Sequence, residues 1–221
     1  RATVNIIDRK SGKETVITEA GPQVDEAAVQ RLLGALEENV QPGDIVACSG
    51  SIIAGAPGDL YAIVSRMTAR KGARCALDCN ANALPKSLEG AAYALGKPNE
   101  RELCALLGRE RTQEPEAIAA YARALMPPYG ALLVSMGGSG GVWVNEDEAY
   151  LARVPEVSIV STVGSGDAAL AGALHGMETG LAPEETLRLA MACGVANAML
   201  GEVGSVRMED VREIGERIDV S

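Results

Sequence analysis

The chain runs to 221 residues, 47% of them apolar with no Phe among them, and carries a formal net charge of −10. That length builds one well-buried domain over residues 1–221 around an aliphatic core, with no need of a second. The acidity excludes nucleic acid and acidic membrane surfaces as partners, since both are bound through basic patches.

The sequence starts at Arg1 rather than Met and moves straight into strand-like residues, as a fragment or trimmed chain would. Residues 2 to 18 alternate like a hairpin: Thr3-Val4-Asn5-Ile6-Ile7, a turn at Lys10-Ser11-Gly12-Lys13, then Glu14-Thr15-Val16-Ile17-Thr18. Gly21-Pro22 ends it. From Asp25 to about Glu38, Val29, Leu32, Leu33 and Leu36 recur at helical spacing, with Asp25 as N-cap. Asp44-Ile45-Val46-Ala47-Cys48 then reads as a buried parallel strand ending at Ser49-Gly50-Ser51.

Alternation continues with a helix over roughly 59 to 71, a strand at Arg74-Cys75-Ala76-Leu77 and a strand-like piece before Lys97-Pro98-Asn99. Helices follow near 99 to 107 and 114 to 126, then the strand Ala131-Leu132-Leu133-Val134 and a hairpin of Gly141 to Val144 with Ala149 to Val154. Three helices close the chain, at about 167 to 178, 183 to 200 and 208 to 217. This order predicts a three-layer α/β/α fold, a mostly parallel sheet with helices on both faces. The leading hairpin, within residues 1–20, stands apart as a small β element.

Cys48, Cys75, Cys79, Cys104 and Cys193 are odd in number and scattered through apolar segments, without the two-residue spacing of a zinc or thioredoxin motif. They read as buried reduced thiols of a cytoplasmic protein. No apolar run has membrane-spanning length, and no charged-then-apolar leader opens the sequence.

The most informative stretch is Ser161-Thr162-Val163-Gly164-Ser165-Gly166-Asp167, running into Ala168-Ala169-Leu170-Ala171-Gly172. The glycines allow a tight turn in which successive N–H groups point at one spot. The Ala- and Leu-rich run makes that spot a helix N-terminus, where anions are favoured. Asp167 stands inside this anion nest, where a carboxylate would repel a resting phosphate. General-base work gives it a reason: it takes the proton of an attacking hydroxyl while the nest holds the phosphoryl group in transfer.

Ligands of open parallel sheets bind beyond the carboxyl ends of the strands. Ser49-Gly50-Ser51, Lys97 to Glu102 and Ser135 to Gly141 all fall there, with the nest beside them. Asn99 and Glu102, three apart, share a helix face. That spacing serves helix capping, and it also presents hard oxygen ligands suited to Mg²⁺. Lys97 has the reach for a phosphate.

Two sharper-looking matches fail. Gly137-Gly138-Ser139-Gly140-Gly141 fits the nucleophile elbow G-x-S-x-G, but it leads into Val142-Trp143-Val144, a strand instead of a helix. Asp167 and His175 would share one helix about 12 Å apart, too far to hydrogen-bond. Gly164 to Ala169 fits the dinucleotide pattern, yet no strand-ending acid follows about twenty positions on, because Glu184 and Glu185 begin a helix after Pro183. No Walker motif is present.

Together these motifs resemble the ribokinase-like (PfkB) carbohydrate kinases, in the branch of 1-phosphofructokinase and tagatose-6-phosphate kinase. Ser161 through Gly172 is similar to the family's second signature. Ser49-Gly50-Ser51, Lys97-Pro98-Asn99 with Glu102, Ser135-x-Gly137-x-x-Gly140 and Gly204-Ser205-Val206 fall in family order. Arg1 and Glu19-Ala20-Gly21-Pro22 resemble the phosphosugar branch in particular.

The resemblance implies Asp167 as catalytic base and Gly164, Ser165 and Gly166 as the anion hole. It implies Ser135, Gly137, Gly140, Thr162 and Val163 beside ATP, with Asn99, Glu102 and nearby Lys97 organising Mg²⁺ and the phosphates, the metal through its waters. Met191, Gly194, Val195 and Ala198 would line the adenine pocket, and Arg1 and Ser51 would hold the phosphosugar. A homodimer through the β lid at 1–20 is implied as well.

Departures from the family pattern fall on the substrate side. Its Gly-rich sugar signature, a substrate-binding Asp and part of the lid have no counterpart here. Ile52-Ile53 replaces a usual Leu-Pro, the stretch Leu77-Asp78-Cys79-Asn80-Ala81-Asn82 differs from the common Asp-Thr-Ser-Gly, and Ala168 replaces a Ser. The expectation is an ATP-dependent kinase of fructose 1-phosphate, tagatose 6-phosphate or fructose 6-phosphate. The alternative is an inactive remnant that binds nucleotide or sugar phosphate.

Overall fold

The computed structural model describes residues 2–7, 14–80 and 83–221, so Arg1 and the predicted turn at Lys10-Ser11-Gly12-Lys13 lie outside the described residues. Strands β1 (Thr3–Ile7) and β2 (Glu14–Thr18) pair antiparallel, Val4 opposite Ile17, in a two-stranded sheet of their own. Helix α1 (Glu26–Asn39) starts at the expected cap, where the Asp25 carboxylate accepts the Ala28 N–H at 2.7 Å. Its predicted apolar stripe is only partly used: Val29 is buried, but Leu32 is 49% exposed.

The main sheet takes its seven strands in chain order: β3 (Ile45–Gly50), β4 (Arg74–Cys79), β5 (Leu95–Gly96), β6 (Ala131–Ser135), β7 (Gly141–Asn145), β8 (Ala149–Arg153) and β9 (Asp219–Val220). Strands β3 to β6 pair in parallel and the rest antiparallel. β8 thereby points the same way as β3 to β6, and the sheet is mostly parallel, as expected.

Alternation along the strands sorts the core into two layers. Cys75, Leu77, Leu132 and Val134 face Val64, Met67, Leu103 and Ile118 of helices α2 (Leu60–Arg70), α4 (Glu100–Leu106) and α5 (Pro115–Arg123). Ala76, Leu95, Ala131 and Leu133 face Leu170, Leu187, Ala190 and Ile214 of α6 (Ser165–Thr179), α7 (Pro183–Ala198) and α8 (Met208–Arg217). The result is the predicted α/β/α sandwich.

Two short elements escape the sequence reading. The one-turn α3 (Leu84–Ser87) and the two-residue edge strand β9 are too short to carry a period. β4 also runs two residues beyond the predicted Leu77, carrying Asp78 and Cys79 to the sheet's carboxyl edge.

Candidate active site

The carboxyl ends of β3, β4, β5 and β6 lie at one edge of the sheet, facing the N-terminus of α6. Gly164 caps that helix at φ +84°, and a Cβ there would stand 2.4 Å from the Gly204 nitrogen. Only glycine satisfies both the turn and this close approach. The Ser165 N–H turns back to the Thr162 carbonyl at 3.2 Å, and Val163 donates to Ser161 Oγ at 3.3 Å. The Ser165 hydroxyl donates to Asn197 Oδ1 at 3.1 Å, and the Asn197 amide donates to the carbonyls of Glu202 and Ser205. Asn197 is fully buried, so this satisfied network fixes the nest against the 201–205 loop. The amides of Gly166 and Asp167 belong to the first turn, which has no helical carbonyl to bond.

Asp167 is exposed and accepts the Ser49 hydroxyl at 3.2 Å. It opens on a cavity of about 360 Å³ lined by Ser49, Gly50, Ser51, Asp78, Cys79, Asn80, Glu102 and Asp167 itself. Tyr61 steadies the Ser49 loop by donating to the Ser49 carbonyl at 2.8 Å. Behind the cavity, buried Lys97 places its ammonium 3.1 Å from Asp78 Oδ2.

Asn99 and Glu102 form a complete capping box on α4. The Asn99 side chain accepts the N–H groups of Arg101 and Glu102, and Glu102 Oε2 accepts the Asn99 N–H at 3.0 Å. Capping is therefore fulfilled at this pair, and it does not exhaust Glu102, which also lines the cavity. Burial pushes the carboxyls of Asp78 and Glu102 above their ordinary values. Lys97 pulls both down, while Asp167 pushes Asp78 up and Asp78 pushes Glu102 up. Crowded hard oxygen donors of this kind fit a divalent cation. Among the described residues no three acidic, Cys or His side chains are grouped tightly enough to hold a metal alone. An ion there therefore needs water or phosphate oxygens as well.

On the neighbouring loop, Ser135 donates its N–H to the Pro98 carbonyl, tying β6 to the Lys97–Asn99 segment. Gly137–Ser139 make a 3-10 turn closed by the Met136 N–H to Gly140 carbonyl bond. That turn enters β7, in accord with the rejected nucleophile elbow, and His175 lies with Asp167 on α6. Thr162 is exposed and Val163 half-buried beside the nest.

The residues implied for adenine lie on α7. Met191 is buried with its sulfur against Gly141, and Gly194 packs on the Ser165 carbonyl and Ala169. Val195 is half-buried and Ala198 is buried. Sequence reasoning placed Ser49 in a ligand-side loop and noted Asp78 and Asn80 only as departures from the family pattern, and it gave none of the three a role in the site. The one available signal was an acid in an otherwise apolar strand, Arg74-Cys75-Ala76-Leu77-Asp78-Cys79.

A profile described as pfkB family carbohydrate kinase matches residues 1–206. A 1-phosphofructokinase of Bacillus subtilis (strain 168) is 34% identical over 198 residues, and the match covers 89% of this chain and 64% of that relative. Phosphofructokinase-2 from Escherichia coli in complex with potassium has a similar fold, with TM-score 0.88 and 25% identity over 97% of this chain and 70% of that one. In complex with substrates and products, the same Escherichia coli protein gives TM-score 0.86 and 26% identity over the same shares. The chain thus spans somewhat under two thirds of the Bacillus relative's length. By its matched profile and its sheet, the chain belongs to the pfkB family of carbohydrate kinases.

Proposed function

We propose that this chain carries the phosphoryl-transfer centre of an ATP-dependent kinase of phosphosugars such as fructose 1-phosphate, tagatose 6-phosphate or fructose 6-phosphate. The observation that carries the reading is Asp167: an exposed carboxylate in the first turn of α6, at the mouth of the cavity and next to the amides of the nest. A sugar hydroxyl in that cavity gives its proton to Asp167 as it attacks the terminal phosphoryl group of ATP. Gly164, Ser165 and Gly166 shape the amides that receive the developing charge, which is where a preorganised dipole lowers the barrier most. Ser51 borders the cavity on the sugar side, and Arg1 is assigned to the sugar's phosphate.

Ser135, Gly137, Gly140, Thr162 and Val163 flank the nucleotide, with Met191, Gly194, Val195 and Ala198 forming the floor beneath adenine. Glu102, with Asn99 behind it, holds Mg²⁺ through water. The ion, when bound, offsets the charge that ATP brings into a cavity already lined by three carboxylates. The exposed apolar face of the β1–β2 hairpin seats a second copy of the chain, and the buried free thiols suit a reducing cytoplasm.

The test is Asp167→Asn in the complete gene product, assayed by sugar-dependent ADP release across a phosphosugar panel. Turnover should fall by about 10³-fold or more while ATP binding is kept. Wild-type-like turnover in the variant sinks the role of Asp167. ATP binding without sugar-dependent ADP release from the unmutated protein favours an inactive binding remnant.

A further inference from the structure

Lys97 is 5% exposed, and its ammonium is 3.1 Å from Asp78 Oδ2. The pairing is a product of sheet register: Leu77 lies opposite Gly96 and the Lys97 N–H bonds the Leu77 carbonyl at 2.9 Å, so Asp78 and Lys97 are lateral neighbours on parallel strands. The lysine's tip then reaches the helix. A Cβ built on Gly166 would lie 3.3 Å from Lys97 Nζ, the single neighbour it would meet. Gly166 is helical and has no left-handed φ, so backbone geometry does not demand glycine there. In a helix glycine is the poorer choice, so its presence calls for another cause. A Cβ there would crowd the Lys97 ammonium by a few tenths of an ångström, and glycine leaves it that room.

We infer that Asp78 and Gly166 are positioning residues that act through Lys97. Asp78 fixes the ammonium from the sheet side, and Gly166 leaves the gap through which it touches the first turn of α6. This deepens the kinase reading and rests on it. A buried cation needs a counter-charge, and a fixed one is worth most where charge develops during transfer. Asp78 also adds negative charge to a cavity that holds Glu102 and Asp167. Its removal therefore lowers repulsion toward resting ATP while releasing the lysine that serves the transition state.

The signature is a split between kcat and KM. In the complete protein, Asp78→Asn lowers kcat by about 10- to 100-fold, the range for a hydrogen bond to a charged group, without raising KM for ATP. Asp78→Glu restores part of the rate. In a Lys97→Met background, Asp78→Asn changes kcat no further, because the residue it acts through is gone. A parallel readout needs no turnover: acylation of Lys97 by an amine-reactive ester, followed by mass spectrometry with exposed Lys86 as internal reference. Lys97 is protected in the unmutated protein and labels several-fold faster in Asp78→Asn. Additive losses in the double variant, a KM that rises as kcat falls, or unchanged labelling each overturn the inference. An unmutated protein without sugar-dependent ADP release overturns the kinase reading instead, and the labelling result still decides whether Asp78 holds Lys97.

Discussion

Two glycines two residues apart in the nest are there for different reasons, and substitution separates them. Gly164 sits at φ +84° with the Gly204 backbone nitrogen 2.4 Å from where a Cβ would be. Neither the dihedral nor a backbone neighbour yields cheaply, so Gly164→Ala should destabilise the fold by roughly 1–3 kcal/mol and spread the nest away from the 201–205 loop. Gly166→Ala meets only the flexible end of Lys97 and gains helix propensity, up to about 1 kcal/mol. It should leave stability level or raised while lowering turnover, a trade of activity for stability seen where sites are built against propensity. Denaturant unfolding of both variants beside their kcat values checks the contrast. Equal losses of stability would show that the two positions do the same work.

At the scale of elements, the α4 N-terminus combines a capping role that its hydrogen bonds show with the role proposed for Glu102 at the cavity. Glu102 closes the capping box through Oε2, an acceptor that Gln also offers, and it turns its charge into the cavity. Burial, with a push from Asp78, raises its carboxyl above the ordinary range. A raised acid binds its proton more tightly folded than unfolded. Its stabilisation is complete below the unfolded value and is lost as pH rises through the folded one. Glu102→Gln keeps the cap and removes this loss, so its melting temperature should fall less than that of the unmutated protein as pH rises above the ordinary carboxylate range. Adding Mg²⁺ should raise the melting temperature of the unmutated protein and have less effect on the variant. Parallel pH curves, or an equal response to Mg²⁺, would remove Glu102 from the metal site.

The same scale shows what was legible in the sequence. The 15 residues of α6 and the 16 of α7 carry enough periods and boundary residues to be placed within two residues of their true ends. β5, two residues long, was legible only as a strand-like piece ahead of Lys97, and β9, equally short, carries no signal of its own and exists because a neighbouring strand supplies hydrogen bonds. The Gly164 turn and the helix it opens were readable because their residues are consecutive. The Asp78–Lys97 pair was not, since 19 positions separate the partners and only the register of β4 on β5 joins them. Leu32 marks the limit of a period as a guide to burial: helix α1 forms where the spacing puts it, and the fold leaves Leu32 49% exposed.

For the whole molecule the open matter is the hairpin. Val4, Ile6 and Ile17 share one of its faces, by the alternation of β1 and the Val4–Ile17 pairing, and each is more than half exposed. A two-stranded ribbon is marginal in water by itself, and an apolar face of this kind is stabilised when something covers it. A second copy of the same face does so under two-fold symmetry, in which every side chain contributes twice. Ile6→Lys then sets two ammonium groups into one apolar seam. In the complete protein, light scattering should find a dimer for the unmutated sequence and a monomer for Ile6→Lys. The main domain should melt within about 0.5 kcal/mol of the unmutated protein, because Ile6 belongs to neither of its cores. A dimer that survives Ile6→Lys unchanged would move the interface elsewhere on the surface, and a monomeric unmutated protein would leave the hairpin to cover the site of its own chain.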